Sequence, residues 1–192
     1  MPSLEIATPN QSECRSSDHC PLPFLHLRSP PMSCLIIGDC IAMGIAAAIN
    51  AMVPGQCDVK ARVGATTGAI KALGPTRRYD VAIVSAGSND SAARTLDRDL
   101  SQLRAGLNAD RISWVYPRSS PLAWSVYRVA LSHGDRTVDL TSLASRDGVH
   151  PRDYRAAARL VLVSAFGSRR RLQRVHGQRG GERVAAIAAT GR

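Results

Sequence analysis

The sequence predicts a three-layer α/β/α domain built around a five-stranded parallel sheet. Two observations support this fold class. From Ser33 onward, short apolar runs alternate with longer amphipathic segments, which is typical of β-α repeats. The run from Val81 to Ala86 is apolar almost throughout, as expected for a strand that is buried on both faces of a parallel sheet.

Five short runs, rich in apolar residues and bounded by turn residues, are predicted to be strands. Because an amphipathic segment separates each run from the next, the strands are expected to be parallel. In chain order they are Ser33 to Gly38, Cys57 to Val63, Val81 to Ala86, Ile112 to Tyr116 and Thr137 to Leu140.

The segments between and after these strands are predicted to be helices. Two are rich in alanine, one has leucines at helical spacing, and Gly134 is the expected stop of the fourth. In chain order they are Ile41 to Met52, Thr67 to Leu73, the segment with Leu96, Leu100, Leu103 and Leu107, Leu122 to Ser132, and Asp153 to Phe166. Trp114, Trp124 and Tyr127 are expected to pack in the core, with a place lining a cleft as the alternative.

Composition divides the 192 residues into three parts. Residues 1–31 lack periodicity and end in Ser29-Pro30-Pro31, which predicts a flexible extension; Met32 is an alternative translation start. Residues 32–166 form the predicted domain. Residues 167–192 carry seven arginines against Glu182 alone, and so supply much of the net charge of +10. This basic tail is predicted to be disordered and to bind polyanions without sequence specificity, although it lacks aromatic residues for base stacking.

Composition also excludes several classes of protein. No apolar run approaches the roughly 20 residues that cross a bilayer, so no transmembrane segment is expected. The five cysteines are odd in number and lack CxxC spacing, which signals neither a disulfide framework nor a metal site, and no cofactor is expected. A reducing, cytoplasmic location is the simpler expectation, with export as the alternative although no secretion signal is evident. Nothing in the sequence indicates an oligomeric state.

Polar turns follow four of the predicted strands. Ligands of open parallel sheets bind at the carboxyl ends of the strands, so we expect these turns to meet at one edge of the sheet. They are Gly38-Asp39-Cys40, Val63 to Gly68, Gly87-Ser88-Asn89-Asp90, and Asp147-Gly148-Val149-His150-Pro151.

These turns supply the groups that acyl transfer needs. Cys40 lies at a helix N-terminus, which favours an ionised nucleophile and a bound oxyanion. His150 can act as general base towards Cys40, and Asp147 can fix the tautomer of the imidazole. The backbone N–H groups of Cys40 and Gly64 and the side-chain amide of Asn89 can donate to a developing oxyanion.

The four turns together resemble, in order and position, the four sequence blocks of the SGNH, or GDSL-type, hydrolases. The resemblance covers Cys34 to about Phe166. It implies a flavodoxin-like fold and hydrolysis of esters or thioesters through an acyl-enzyme. It places the nucleophile at Cys40, the base at His150 with Asp147 behind it, and the oxyanion hole at Cys40, Gly64 and Asn89.

The family's nucleophile is serine, whereas position 40 is cysteine. Three interpretations follow: an active thiol hydrolase, a weakened or inactive relative, or a redox-sensitive thiol. The leading hypothesis is hydrolysis of a short acyl ester, for example an acetylated carbohydrate, because no insertion is large enough to cover a long lipid chain. The alternative is an inactive scaffold that binds an anionic ligand or nucleic acid. A dinucleotide-binding oxidoreductase is disfavoured because no GxGxxG follows the first strand, and a papain-like protease because its fold and partner order differ.

Overall fold

The computed structural model describes residues 32–75, 77–91 and 95–167. The predicted extension over 1–31 and, apart from Gly167, the predicted basic tail lie outside these residues. Among the helices of the described ranges, none is long and apolar enough to span a membrane.

Five parallel strands and five helices alternate along the described chain, as the sequence predicts. The strands are β1 (Cys34–Gly38), β2 (Cys57–Ala61), β3 (Tyr79–Ser85), β4 (Ala109–Val115) and β5 (Arg136–Val138). The helices are α1 (Cys40–Met52), α2 (Thr67–Ala72), α3 (Leu96–Gly106), α4 (Ser120–His133) and α5 (Tyr154–Phe166). The sheet order is β2-β1-β3-β4-β5, which is the flavodoxin-like order with a switch point between β1 and β3.

Side chains of alternate residues in the central strands pack into two hydrophobic cores, one on each face of the sheet. Leu35 and Ile37 of β1 pack with α2, α3 and α4, whereas Ile36 packs with α1 and α5. The three-layer prediction is thereby confirmed. Trp114 is fully buried in the first core, but Trp124 on α4 is 56% exposed.

The second strand ends earlier than its composition predicts, at Ala61 rather than at Val63. The backbone N–H of Arg62 still donates to the carbonyl of Gly38, but the chain then turns, and the N–H of Ala65 donates to the carbonyl of Arg62. Gly64 lies within this turn with φ of +68°, a conformation that β-branched residues such as Val63 avoid. The turn therefore replaces the last residues of the predicted strand.

A disulfide joins Cys34 to Cys57, and this corrects the expectation that the cysteines form no such bond. The two residues are register partners on the neighbouring strands β1 and β2, with their Cα atoms 4.4 Å apart. Pairing depends on the register of two parallel strands, which the spacing of cysteines along the sequence does not reveal. The inference of a reducing compartment depended on unpaired cysteines, so the disulfide removes its basis.

Gly38 allows β1 and β3 to approach closely where they lead into the polar turns. A Cβ atom at this position would lie 2.2 Å from the carbonyl oxygen of Ser85. The next residue, Asp39, donates its backbone N–H to that same oxygen at 3.2 Å. The glycine therefore fixes the start of α1 against the end of β3.

Candidate active site

Cys40 is the first residue of α1, directly after the N-cap residue Asp39. The Asp39 carboxylate accepts hydrogen bonds from the backbone N–H groups of Ile41 at 3.0 Å and Ala42 at 3.4 Å. Capping by aspartate satisfies amides that the first turn of a helix leaves without partners. The Cys40 side chain is half-buried, so its sulfur is fixed by the helix start and remains accessible.

The side chains of Cys40, His150 and Asp147 form one hydrogen-bonded chain. The Sγ of Cys40 lies 3.0 Å from Nε2 of His150, and Nδ1 of His150 lies 2.6 Å from Oδ2 of Asp147. An ionised carboxylate only accepts, so Nδ1 carries the proton that it donates to Asp147. In the neutral ring Nε2 is then the unprotonated nitrogen, in position to accept the proton of the Cys40 thiol.

The loop after β5 is folded so that His150 points back towards α1. Oδ1 of Asp147 accepts from the backbone N–H groups of Val149 at 2.9 Å and His150 at 2.7 Å. These bonds, with the imidazole, hold the pKa of Asp147 well below its usual range. The Ser145 hydroxyl also donates to the carbonyl of His150 at 2.7 Å. Asp147 is therefore ionised at neutral pH, and its hydrogen bonds shape the turn that carries His150.

The loops that follow β2 and β3 are joined by side-chain hydrogen bonds. The Asn89 amide donates to the carbonyl of Ala65, the residue after Gly64, at 3.2 Å. Asp90 accepts from the backbone N–H of Thr67 at 3.0 Å and from its hydroxyl at 2.7 Å. Asn89 is thus held beside the Gly64 turn, and its amide retains a second N–H donor. Its part in an oxyanion hole with Gly64 and Cys40 stays a prediction.

Asp39 is a buried carboxyl group directly before Cys40. Oδ1 accepts from the Ser85 hydroxyl at 2.8 Å as well as from α1, whereas Oδ2 has no hydrogen-bond partner among the described residues. Burial raises the pKa of Asp39 above its ordinary value, although the bonds from Ser85 and α1 oppose this effect. The structure therefore favours the neutral form of this side chain more than water does.

Two residues that support the site have no counterpart in the sequence prediction. Arg118, after β4, donates to the carbonyls of Leu140 and Leu143, each at 3.0 Å, and so ties down the start of the loop that carries His150. No local pattern reveals this, because its partners lie 22 and 25 residues away.

Tyr154 is the second of these residues. Its ring leaves no room for a Cβ at Gly44, because that atom would lie 2.2 Å from the ring, so α1 and α5 meet closely one turn after Cys40. Burial, with smaller contributions from Cys40 and the neighbouring carboxylates, raises the pKa of Tyr154 to about 12. The glycine on an otherwise alanine-rich helix face is the signal that could have indicated this contact.

Comparison with known proteins shows the fold. No protein-family model and no curated protein matches the sequence. Among solved structures, a Bacteroides fragilis protein described as an acylhydrolase is 15% identical, over 70% of this chain and 86% of that chain, with a TM-score of 0.53. The chain shares the three-layer α/β/α fold of that protein.

Two further structures are similar at lower TM-scores. The C-terminal catalytic domain of the Streptococcus pneumoniae peptidoglycan O-acetyltransferase A is 17% identical, over 68% of this chain and 87% of that chain, with a TM-score of 0.48. AlinE4, an esterase of the SGNH-hydrolase family, is 16% identical, over 83% of this chain and 97% of that chain, with a TM-score of 0.39. In the parallel sheet of this chain, the candidate site lies at the carboxyl ends of the strands, where ligands of such sheets bind.

Proposed function

We propose that the protein hydrolyses short-chain acyl esters through an acyl-enzyme on Cys40. The observation that carries this proposal is the chain of hydrogen bonds from the Cys40 thiol through His150 to Asp147, at 3.0 and 2.6 Å. A nucleophile in contact with a base that is itself oriented by a third group is the arrangement that nucleophilic catalysis requires.

In the first half of the reaction, Nε2 of His150 takes the proton of the Cys40 thiol while the sulfur attacks the acyl carbon. The negative charge that develops on the carbonyl oxygen is stabilised by hydrogen bonds that the backbone N–H groups of Cys40 and Gly64 and the side-chain amide of Asn89 donate to it. The bond to the alkoxy group then breaks, and His150 returns the proton to the departing alcohol. A thioester on Cys40 is left.

In the second half, a water molecule attacks the thioester while His150 takes its proton. The carbon–sulfur bond breaks, the carboxylic acid leaves, and the thiol is restored. Access of water supports hydrolysis, because the side chains of His150 and Asp147 are 39% and 51% exposed. Asp147 stays ionised throughout and stabilises the imidazolium that forms in each half.

Turnover of p-nitrophenyl acetate and butyrate by the purified protein tests the proposal. The turnover of Cys40→Ala and of His150→Ala should fall to the background rate. The thiol needs the imidazole to take its proton, and the imidazole alone does not form the acyl-enzyme. Cys40→Ser should retain or raise the activity, since it introduces the nucleophile of the hydrolases that the sequence resembles. Two results together would contradict the proposal: the Cys40 thiol reacts with iodoacetamide no faster than a free thiol, and the Cys40→Ser variant has no esterase activity. They would favour a binding scaffold instead.

A further inference from the structure

An open groove of about 480 Å³ lies at the same edge of the sheet as the candidate site. Its walls come from the end of β4, the first turns of α4 and the loop after β5. The lining residues are Tyr116, Pro117, Arg118, Ser120, Ala123, Trp124, Tyr127, Asp139 and Thr141.

The groove adjoins the loops that carry the catalytic groups. Asp139 and Thr141 begin the loop that continues to His150. Pro117 packs beside Gly87 in the loop that carries Asn89, where an added Cβ would lie 3.3 Å from its Cγ. Because β4 is two strands from β1 in the sheet, its end lies about 10 Å from the end of β1. The groove and the turn that carries Cys40 therefore lie along the same edge of the sheet, about two strand spacings apart.

The floor of the groove is a rigid aromatic surface. The ring of Trp124 stacks on Tyr127 with centroids 5.3 Å apart and planes at 23°, and Tyr127 meets Tyr116 edge-on at 6.4 Å. Trp124 nevertheless remains 56% exposed. Aromatic faces held in place and left open to water are suited to a flat, partly apolar ligand.

Among the described residues that line the groove, Arg118 is the only cationic side chain and Asp139 the only anionic one, so the lining has no net charge to attract a phosphate. Arg118 is engaged with the carbonyls of Leu140 and Leu143, and Asp139 contributes a carboxylate. The Asp139 carboxylate accepts from the N–H of Thr141 at 2.7 Å and can accept further hydroxyl donors. The balanced charges disfavour a nucleic acid, and the open shape of the groove would leave much of an acyl chain in contact with water.

We propose that the groove binds a saccharide portion of the ester substrate, with a pyranose ring stacked on Trp124 and its hydroxyls bonded to Asp139. Sugar rings combine an apolar C–H face with a periphery of hydroxyls, which matches the aromatic floor and the polar rim. The inference rests on the proposed function only for its link to turnover, because binding in the groove requires no catalysis.

Binding is tested by fluorescence of the Cys40→Ala protein with tetrasaccharides of xylose, mannose and N-acetylglucosamine. The chain has two tryptophans, and Trp114 is fully buried, so quenching reports on Trp124. We expect saturable quenching by at least one tetrasaccharide that disappears in Trp124→Ala and persists in Leu131→Ala, which alters another exposed apolar residue of α4. Absence of quenching by all three, or quenching by decanoate alone, would overturn the proposal.

Turnover separates this inference from the proposed function. On acetylated forms of the sugar that binds, Trp124→Ala should lower kcat/KM about tenfold through a higher KM, while p-nitrophenyl acetate turnover changes less than about twofold. An equal loss on both substrates would contradict the groove assignment. If a sugar quenches the fluorescence of Trp124 but the wild-type protein cleaves neither ester, the groove assignment stands and the proposed hydrolase function is refuted.

Discussion

Asp147 accepts hydrogen bonds from His150 twice, at 2.6 Å from the ring nitrogen Nδ1 and at 2.7 Å from the backbone N–H. One carboxylate thus sets both the position of the turn and the orientation of the His150 imidazole. Substitutions of Asp147 that keep the hydrogen bond to the backbone but remove the charge beside the ring can separate these two effects.

Asp147→Asn should lower kcat about 10²- to 10⁴-fold with little loss of thermal stability. The amide oxygen of asparagine can still accept from the N–H groups of Val149 and His150, but the negative charge behind the imidazole is gone. Asp147→Ala removes both functions and should also loosen the loop. Hydrolysis rates and thermal unfolding of the two variants distinguish these effects, and an active Asp147→Asn protein would contradict the orientation role.

The lowered pKa of Asp147 gives its interactions a defined pH range. A carboxyl group whose pKa is lower in the folded state than in the unfolded state stabilises the fold at pH values above its ordinary pKa of 3.8. This stabilisation is lost as the pH falls through the lowered pKa. Between about pH 5 and pH 8 the contribution is constant. We therefore expect the carboxyl of Asp147 to stay ionised across this range, so that the difference in unfolding free energy between the wild type and Asp147→Asn is constant there. A difference that shrinks as pH falls from about 8 to about 5 would show that Asp147 itself titrates in that range.

Asp39→Asn tests the buried carboxyl directly before Cys40. The pKa of this acid is raised by folding, so the native state binds more protons than the unfolded state, and stability falls as pH rises from 3.8 through the raised value. Asparagine is a neutral isostere that caps helices equally well. The variant should therefore show a flatter dependence of unfolding free energy on pH. Asp39→Ala should lose about 0.5–2 kcal/mol by removal of the cap. An unchanged pH dependence in Asp39→Asn would contradict the burial effect.

Arg118→Ala should reduce turnover by loosening the loop that carries His150. Removing the guanidinium takes one donor from the carbonyl of Leu143 and leaves the carbonyl of Leu140 with the backbone N–H of Leu143 alone. Misplaced catalytic groups commonly cost about tenfold or more in rate. The matched control is Arg128→Ala, which removes an exposed arginine of α4 that pairs with Asp97 of α3. Equal activity in both variants would refute the positioning role of Arg118.

Reduction of the disulfide should destabilise the domain while leaving the site chemistry intact. The bond links residues separated by 23 positions, and closing a loop of this length contributes about 3 kcal/mol in the chain-entropy model. Thermal unfolding of the Cys34→Ser/Cys57→Ser protein, compared with the wild type, should show a lower midpoint. Peptide mapping without reductant should recover Cys34 joined to Cys57 and Cys40 as a free thiol. A map in which Cys34 is alkylated would contradict the pairing.

What the sequence predicts, and what it does not, follows from the range of each interaction. The strands and helices are encoded in local periodicity, and the Asp147–His150 pair lies within one short turn, so both are readable along the chain. The Cys34–Cys57 bond depends on strand register, and the contacts of Arg118 depend on where two distant loops meet. Similarly, Trp124 and Tyr127 are three residues apart, so the sequence is compatible with their stacking on one side of a helix. The exposure of Trp124, in contrast, depends on which other parts of the fold cover it.

Two cysteines that respond in opposite ways to oxidation lie at the start of β1 and just after its end. Cys34 opens the strand in a bond that oxidants preserve, whereas Cys40 follows it, roughly 20 Å further along the chain, as a thiol that oxidants consume. At that separation Cys34 and Cys57 cannot recapture a sulfenic acid on Cys40 as a protective disulfide. Among the described cysteines, peroxide should therefore oxidise Cys40 while the Cys34–Cys57 bond stays intact. Any activity that depends on the Cys40 thiol would then be lost through oxidation of one sulfur atom, before the fold itself is lost.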